Sequence, residues 1–586
     1  MDAPMQKQSA YPLLAKLAKA TIRMDGTRKQ AIETGRNRLL VTAAAFAIVF
    51  CALAARLVEL TVNAAGDEPR IASVTNARDG ADRANIVDRN GIMLATSLPT
   101  ASLYANPRQM LDVERAAERL AEVLPDLNST ELTQRLRRDS SFVWIKRHLT
   151  PNQVYDVNAL GIPGLQFQRS ERRVYPSGAE LSHVLGLTDV DGRGIAGIER
   201  AFERELTATS NAAGPLALSV DLRVQHIVRD ELIAAVTEFK AKGAAGVVLD
   251  ARTGEVLAMV SLPDFDPNQP LSAKGESAFN RVTKGVYEMG STFKLFTAAA
   301  ALDAGSTTMR GGYDAREPIR ISRFTISDYH PQKRWLSVTE ILVHSSNIGA
   351  AKMALDLSTP KLRKYLEAFG LLERSTIELP EIGRPLMPQP WREINTMTIA
   401  FGHGIAVTPL QMTAAIGALV NGGILVEPTV LRRYSGEQVK GVRVISEQTS
   451  RDIRSMMRLI VTEGTAKKAD VKGYRVGGKT GTAEKIEGKH YGRSLLVSSF
   501  VGAFPIDQPR YVVLVLVDEP KGNKRTFGYA TGGWVAAPVM AGIVQRMAPV
   551  LGIAPEVSAE LTAGNRLLVA VNEDKPLAAG GRRAPQ

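Results

Sequence analysis

Glu288-Met-Gly-Ser-Thr-Phe-Lys294 places a serine and a lysine at i, i+3, directly after a glycine. On a helix, residues at this spacing share a face, so the Ser291 hydroxyl and the Lys294 amine can meet. A serine hydroxyl is a poor nucleophile until a base takes its proton. A lysine can serve as that base once burial and neighbouring positive charge lower its pKa. Gly290 suits a sharp entry into the helix, with Ser291 at its N-terminus. The same spacing recurs at Ser358-Thr-Pro-Lys361, where Pro360 suits a first helical turn and the serine reads as a surface cap. Spacing alone therefore leaves both catalysis and capping open.

Two further motifs lie downstream, each occurring once. The first is Ser345-Ser346-Asn347. Its leading hydroxyl can relay protons between a lysine and a leaving group, and the Asn347 amide can hold a substrate carbonyl; in isolation it is equally a helix cap. The second, Lys479-Thr480-Gly481-Thr482, lies much further along the chain. There the lysine and threonine can bind a substrate carboxylate, and Gly481 is expected to leave the approach open. The backbone N–H groups of Thr482 and Ser291 can form an oxyanion hole. Alone this motif reads as a turn; the three in one order define a catalytic constellation.

The flanking sequence supplies a scaffold. Gly246–Leu249 and Val256–Ser261 enclose the polar turn Asp250-Ala-Arg-Thr-Gly254 and read as a β-hairpin. Val497–Phe504 and Tyr511–Val517 are two more apolar strands, and Lys479 falls where an edge strand should begin. A long, largely helical stretch separates the two β regions. The expected fold class is α+β: an antiparallel sheet assembled from both ends of one domain, with a helical insert. Upstream, Asp112–Leu124, Thr130–Arg138 and Asp221–Lys240 have helical spacing, whereas Gly161–Arg173 and Leu181–Gly197 read as irregular. Residues 61–85 read as a tether, and Gly580–Gln586 as a disordered end.

Charge and composition narrow the class. The chain of 586 residues carries a formal +13, and residues 1–38 hold eight Lys or Arg against three acids, a net +5. The remaining +8 is spread over the rest of the chain with no base-reading motif, which argues against nucleic acid. Leu39–Ala55 is an uncharged apolar run long enough to span a bilayer, extended by Leu57 and Val58. The basic leader before it puts residues 1–38 in the cytoplasm and the rest outside, as an uncleaved single-pass anchor; a cleaved signal peptide is the alternative reading. Cys51, the only cysteine, falls inside that run, so no disulfide or thiol nucleophile operates beyond it. The seven histidines show no metal-ligand spacing, and no nucleotide-binding loop or Gly-x-Ser-x-Gly elbow is present. No metal and no cofactor is expected.

The three motifs together resemble the penicillin-binding proteins. Further segments are similar to the class B branch: Arg83-Ala-Asn-Ile-Val-Asp-Arg-Asn-Gly91, Arg172-Arg-Val-Tyr-Pro176, Gly194-Ile-Ala-Gly-Ile-Glu199, Asn280-Arg281, Phe401-Gly-His-Gly404 and Thr408-Pro-Leu-Gln411. The resemblance covers roughly residues 36–550 and is strongest to the division-specific members, with the elongation-specific ones as competitor. Ser346 departs from the aspartate of many relatives, but serine is usual there in class B.

The resemblance implies a division into a cytoplasmic tail (1–38), an anchor (39–58), a dimerisation-type pedestal (59–217), a transpeptidase domain (218–560) and a tail (561–586). It implies that Ser291 attacks the D-alanyl-D-alanine end of a peptidoglycan stem peptide with Lys294 as base. Ser345 and Lys479 would protonate the departing D-alanine, while Asn347, Thr480, Gly481 and Thr482 would hold the donor. β-Lactams would acylate the same serine. A polytopic, FtsW-like glycan polymerase of the SEDS type and other division proteins would be partners at the membrane. A carboxypeptidase or β-lactamase, and a non-catalytic division scaffold, are the alternatives.

Overall fold

The computed structural model describes residues 40–55, 83–208, 214–321, 324–487 and 490–556. The expected tether up to residue 82 and the C-terminal end lie outside the described residues. The chain divides into two units, residues 1–79 and 80–586. In the first, residues 40–55 are helical, with Leu40, Val41, Phe46, Ile48, Val49, Phe50 and Leu53 exposed. Among the described residues no helix is long and apolar enough to cross a membrane; Leu39 and residues 56–58 of the expected anchor lie outside them.

In the second unit one sheet has five strands, all antiparallel, in the order Gly477–Glu487, His490–Phe504, Tyr511–Asp518, Gly243–Asp250 and Val256–Leu262. The sheet is thus assembled from both ends of the domain, with Gly477–Glu487 at one edge. The strands Gly243–Asp250, Val256–Leu262 and Tyr511–Asp518 are buried throughout because helices cover both faces. Successive side chains in a strand point to opposite faces. A side chain at Gly246 would meet Val228 and Leu232 of the helix Leu222–Glu238, whereas Leu249 faces Gly417 of the helix Pro409–Val420. Every residue of Pro409–Val420 is buried, the pattern of a helix enclosed on all sides. Thr408 and Gln411 form a capping box at its start.

The pedestal is built on Met93–Ala105, a 13-residue strand that pairs with Ile86–Val87, Val143–Leu149 and Leu165–Val174. One end of it, at Leu94 and Ala95, joins the main core, and the other, at Leu103 and Ala105, joins a separate small core with Leu120, Leu132 and Ile145. The expected helices are present as Val113–Val123, capped by Asp112, and Ser129–Leu136, capped by Asn128. The stretch 161–173, read as irregular, is corrected: it contributes the strand Leu165–Val174. Its charged residues masked the pattern because both of its faces stay partly open to solvent, with only Arg173 buried.

The motif segments of the pedestal converge. Glu199, fully buried, accepts from Arg83 Nε and Arg173 Nε, each at 2.7 Å. Asp88 is also fully buried; it accepts from the N–H groups of Asn90 and Ile92 and, from far along the chain, from Leu222 N at 3.2 Å. The polar turn 88–91 therefore ties the strand Ile86–Val87 to the helix Leu222–Glu238.

Candidate active site

Gly290–Phe293 forms a 3-10 turn that leads directly into the buried helix Lys294–Asp303. Ser291 is thus on the tight turn and Lys294 is the first residue of the α-helix, a refinement of the single helix expected. Gly290 has φ +53°, and a Cβ there would lie 2.5 Å from the carbonyl oxygen of Thr482. Only glycine permits this approach of the Ser291 turn to the edge strand.

The Lys294 side chain is the hub, its nitrogen within hydrogen-bond distance of four oxygens. Nζ donates to Ser291 Oγ at 2.9 Å, to Ser345 O at 2.6 Å, to Ser345 Oγ at 3.1 Å and to Asn347 Oδ1 at 2.7 Å. Lys479 Nζ reaches the same Ser345 hydroxyl from the edge strand at 3.0 Å. One hydroxyl therefore bridges two lysines that are 1% and 0% exposed. Burial, and then the positive charge of Lys479, drive the Lys294 amine well below the usual lysine range. Burial brings Lys479 down to about 7. Two lysines joined through one hydroxyl titrate as a pair, and the lowering of Lys294 is the shift a lysine needs to act as a base.

Ser345 sits at φ +59°, a left-handed conformation uncommon for a side-chain-bearing residue and concentrated at functional corners. The next residue, Ser346, is the N-cap of the helix Asn347–Leu357 and accepts from Gly349 N at 3.0 Å. Capping falls to Ser346, and the hydroxyl that meets the two lysines belongs to its neighbour Ser345.

The edge strand differs in part from expectation. Alternation puts Lys479 and Gly481 on the face toward the nucleophile helix. A side chain at Gly481 would meet Met289 O and Ser499 Oγ, each at 2.4 Å. The packing of the edge strand against Met289 and Ser499 therefore leaves no room for a side chain at this position. Thr480 points the other way, is 7% exposed, and its hydroxyl meets that of Thr465 at 2.9 Å. Thr482 is half-buried, and its hydroxyl accepts from Gly532 N at 3.0 Å. The second Ser-x-x-Lys copy is different in character: Ser358 occupies an N-cap position but makes no capping bond with its side chain, and Lys361 is exposed.

Residues 244–545 match the penicillin-binding protein transpeptidase domain, and residues 78–213 match the penicillin-binding protein dimerisation domain. The chain belongs to the penicillin-binding protein transpeptidases. It is 41% identical over 481 residues to a probable peptidoglycan D,D-transpeptidase FtsI from Caulobacter vibrioides, covering 80% of this chain and 82% of that one. The peptidoglycan D,D-transpeptidase FtsI of Escherichia coli is 31% identical over 534 residues, 85% and 88% of the two chains. Among solved structures, penicillin-binding protein 3 of Mycobacterium tuberculosis in complex with aztreonam shares the fold, with TM-score 0.65 at 24% identity over 82% of this chain and 98% of that one.

In this penicillin-binding protein two site features are not legible in the sequence. One is Asp328, 8% exposed, whose Oδ2 accepts from the Ser346 hydroxyl at 2.7 Å and whose Oδ1 accepts from Asn347 N at 2.6 Å and Ile348 N at 3.0 Å. The other is the loop 401–404. Gly402, at φ +80°, packs on the Gly290 carbonyl, Gly404 N donates to Glu288 Oε1 at 2.9 Å, and His403 Nδ1 meets Glu288 Oε2 at 3.1 Å. Phe401-Gly-His-Gly404 is recognisable as a motif, but nothing local marks it as the brace of the nucleophile turn.

Proposed function

We propose that this penicillin-binding D,D-transpeptidase cross-links peptidoglycan stem peptides during septal wall synthesis, through an acyl-enzyme on Ser291. The observation that carries the chemistry is the contact of buried Lys294 Nζ with Ser291 Oγ at 2.9 Å. As Ser291 Oγ bonds to the carbonyl carbon of the penultimate D-alanine, its proton passes to neutral Lys294. The N–H groups of Ser291 and Thr482 face the developing oxyanion. The amide then breaks, and the departing D-alanine takes a proton through the Ser345 hydroxyl, which Lys479 resupplies. An amine of a second stem peptide attacks the ester, gives up its proton along the same path, and leaves a new amide and free Ser291. Asn347 and Thr482 orient the donor, and cationic Lys479 holds its carboxylate.

Residues 39–58 anchor the chain in the inner membrane, with residues 1–38 cytoplasmic and the pedestal (59–217) and transpeptidase domain (218–560) outside. What supports this topology is the basic leader ahead of the apolar run. The FtsI names of two relatives support the septal role; an FtsW-like polymerase is the membrane partner proposed with it. Incubating the full chain in detergent with a stem pentapeptide donor and an amine acceptor should release D-alanine and form the cross-linked product, with neither from Ser291→Ala. Depletion in cells should give filaments with unfinished septa; rounded cells would point to elongation instead.

A further inference from the structure

Asp328 lies in the loop that follows the strand Phe324–Ile326, ahead of the Ser345 corner in the chain. Its carboxylate accepts all three hydrogen bonds described above from that corner, and the neighbouring Ser327 carbonyl accepts a fourth from Asn347 Nδ2 at 2.9 Å. The helix that begins at Asn347 is already capped by Ser346. An asparagine would accept the same backbone N–H groups about as well, and burying a carboxylate is costly. The negative charge therefore needs a reason beyond capping.

The surroundings supply one. Two lysines, both buried, converge on the Ser345 hydroxyl. The charges that bear on Lys294 are Lys479, which opposes its protonation, and Asp328, which favours it. We infer that Asp328 is a positioning residue of the acyl-transfer site: it fixes the Ser345–Asn347 corner and supplies the negative charge that balances the Lys294–Lys479 pair. The inference rests on the acyltransferase reading and adds to it the residue that sets how the pair shares its protons. Asp328 acts on the nucleophile only through Ser346, Asn347 and the field on Lys294.

The test compares acylation of the full chain in detergent by fluorescent penicillin across about pH 5.5–9.5 for wild type, Asp328→Asn and Asp328→Ala. Asparagine keeps the shape and the acceptor for both N–H groups but removes the charge. Losing the anion makes Lys294 lose its proton more readily, so the rising limb of the rate against pH should move about one unit lower. The melting temperature should stay near that of wild type. Alanine also removes the hydrogen bonds, so its acylation should fall at least about tenfold at every pH. Superimposable profiles for wild type and Asp328→Asn would overturn the inference, as would equal losses by both variants at every pH. A folded wild type that never labels would overturn the acyltransferase reading itself, and this inference with it.

Discussion

Acidification should loosen the seam between pedestal and catalytic domain through one histidine. His183, 8% exposed, sits in the short helix Ser182–Leu185; its Nε2–H donates to Ser277 O at 2.8 Å, and Asn280 Nδ2 donates to its carbonyl at 3.4 Å. Phe265 packs edge-on against the ring at 5.4 Å. Burial holds the imidazole at about 4, against the ordinary 6.5, with the Ser277 bond and Asp264 opposing and Arg281 assisting. Between these values the unfolded chain binds the proton and the folded chain does not, so stability rises with pH across this window and is lost as pH falls through it. At about 1.4 kcal/mol per pKa unit, the loss between about pH 7.5 and pH 5 is about 2 kcal/mol, approaching about 3 kcal/mol at lower pH. Urea unfolding of the full chain in detergent, wild type beside His183→Gln, isolates this group from the other titrations. Over that interval wild type should lose more stability than the variant, by about 2 kcal/mol. Parallel losses in the two proteins would refute the assignment of a neutral, buried His183.

Two other outcomes follow from the same packing. Gly290→Ala places a Cβ 2.5 Å from the Thr482 carbonyl at φ +53°; the left-handed strain alone is about 1 kcal/mol, and the forced displacement of Ser291 should lower penicillin acylation at least about tenfold, read by the rate of fluorescent labelling. Glu199→Gln leaves Arg83 and Arg173 buried without their shared carboxylate; a loss of about 3–5 kcal/mol is expected in urea unfolding, and a change under about 1 kcal/mol would contradict the triad's role.

The catalytic core is legible from sequence because it is written in local patterns. Alternating apolar strands and a fixed Ser-x-x-Lys spacing depend on neighbours in the chain, and the order of the sheet follows once its two halves are seen to lie at opposite ends of the domain. What stays hidden depends on distant partners. Leu165–Val174 is a strand through its pairing with Met93–Ala105, and its own charged residues conceal it. Asp328 is an ordinary loop acid until the fold brings it to the helix at Asn347. Thr480 reads as a substrate ligand because its motif suggests one, yet the strand's alternation turns its hydroxyl to Thr465. Gly481 has a packing role that its motif does not reveal: its missing side chain makes room for Met289 and Ser499.

The central claim is that Ser291, activated by Lys294, is the nucleophile. Its most direct measurement is gel labelling of membranes with fluorescent penicillin, comparing wild type, Ser291→Ala and Ser358→Ala. The account predicts a band from wild type and Ser358→Ala and none from Ser291→Ala. A band that survives in Ser291→Ala, or a folded wild type that never labels, would contradict it.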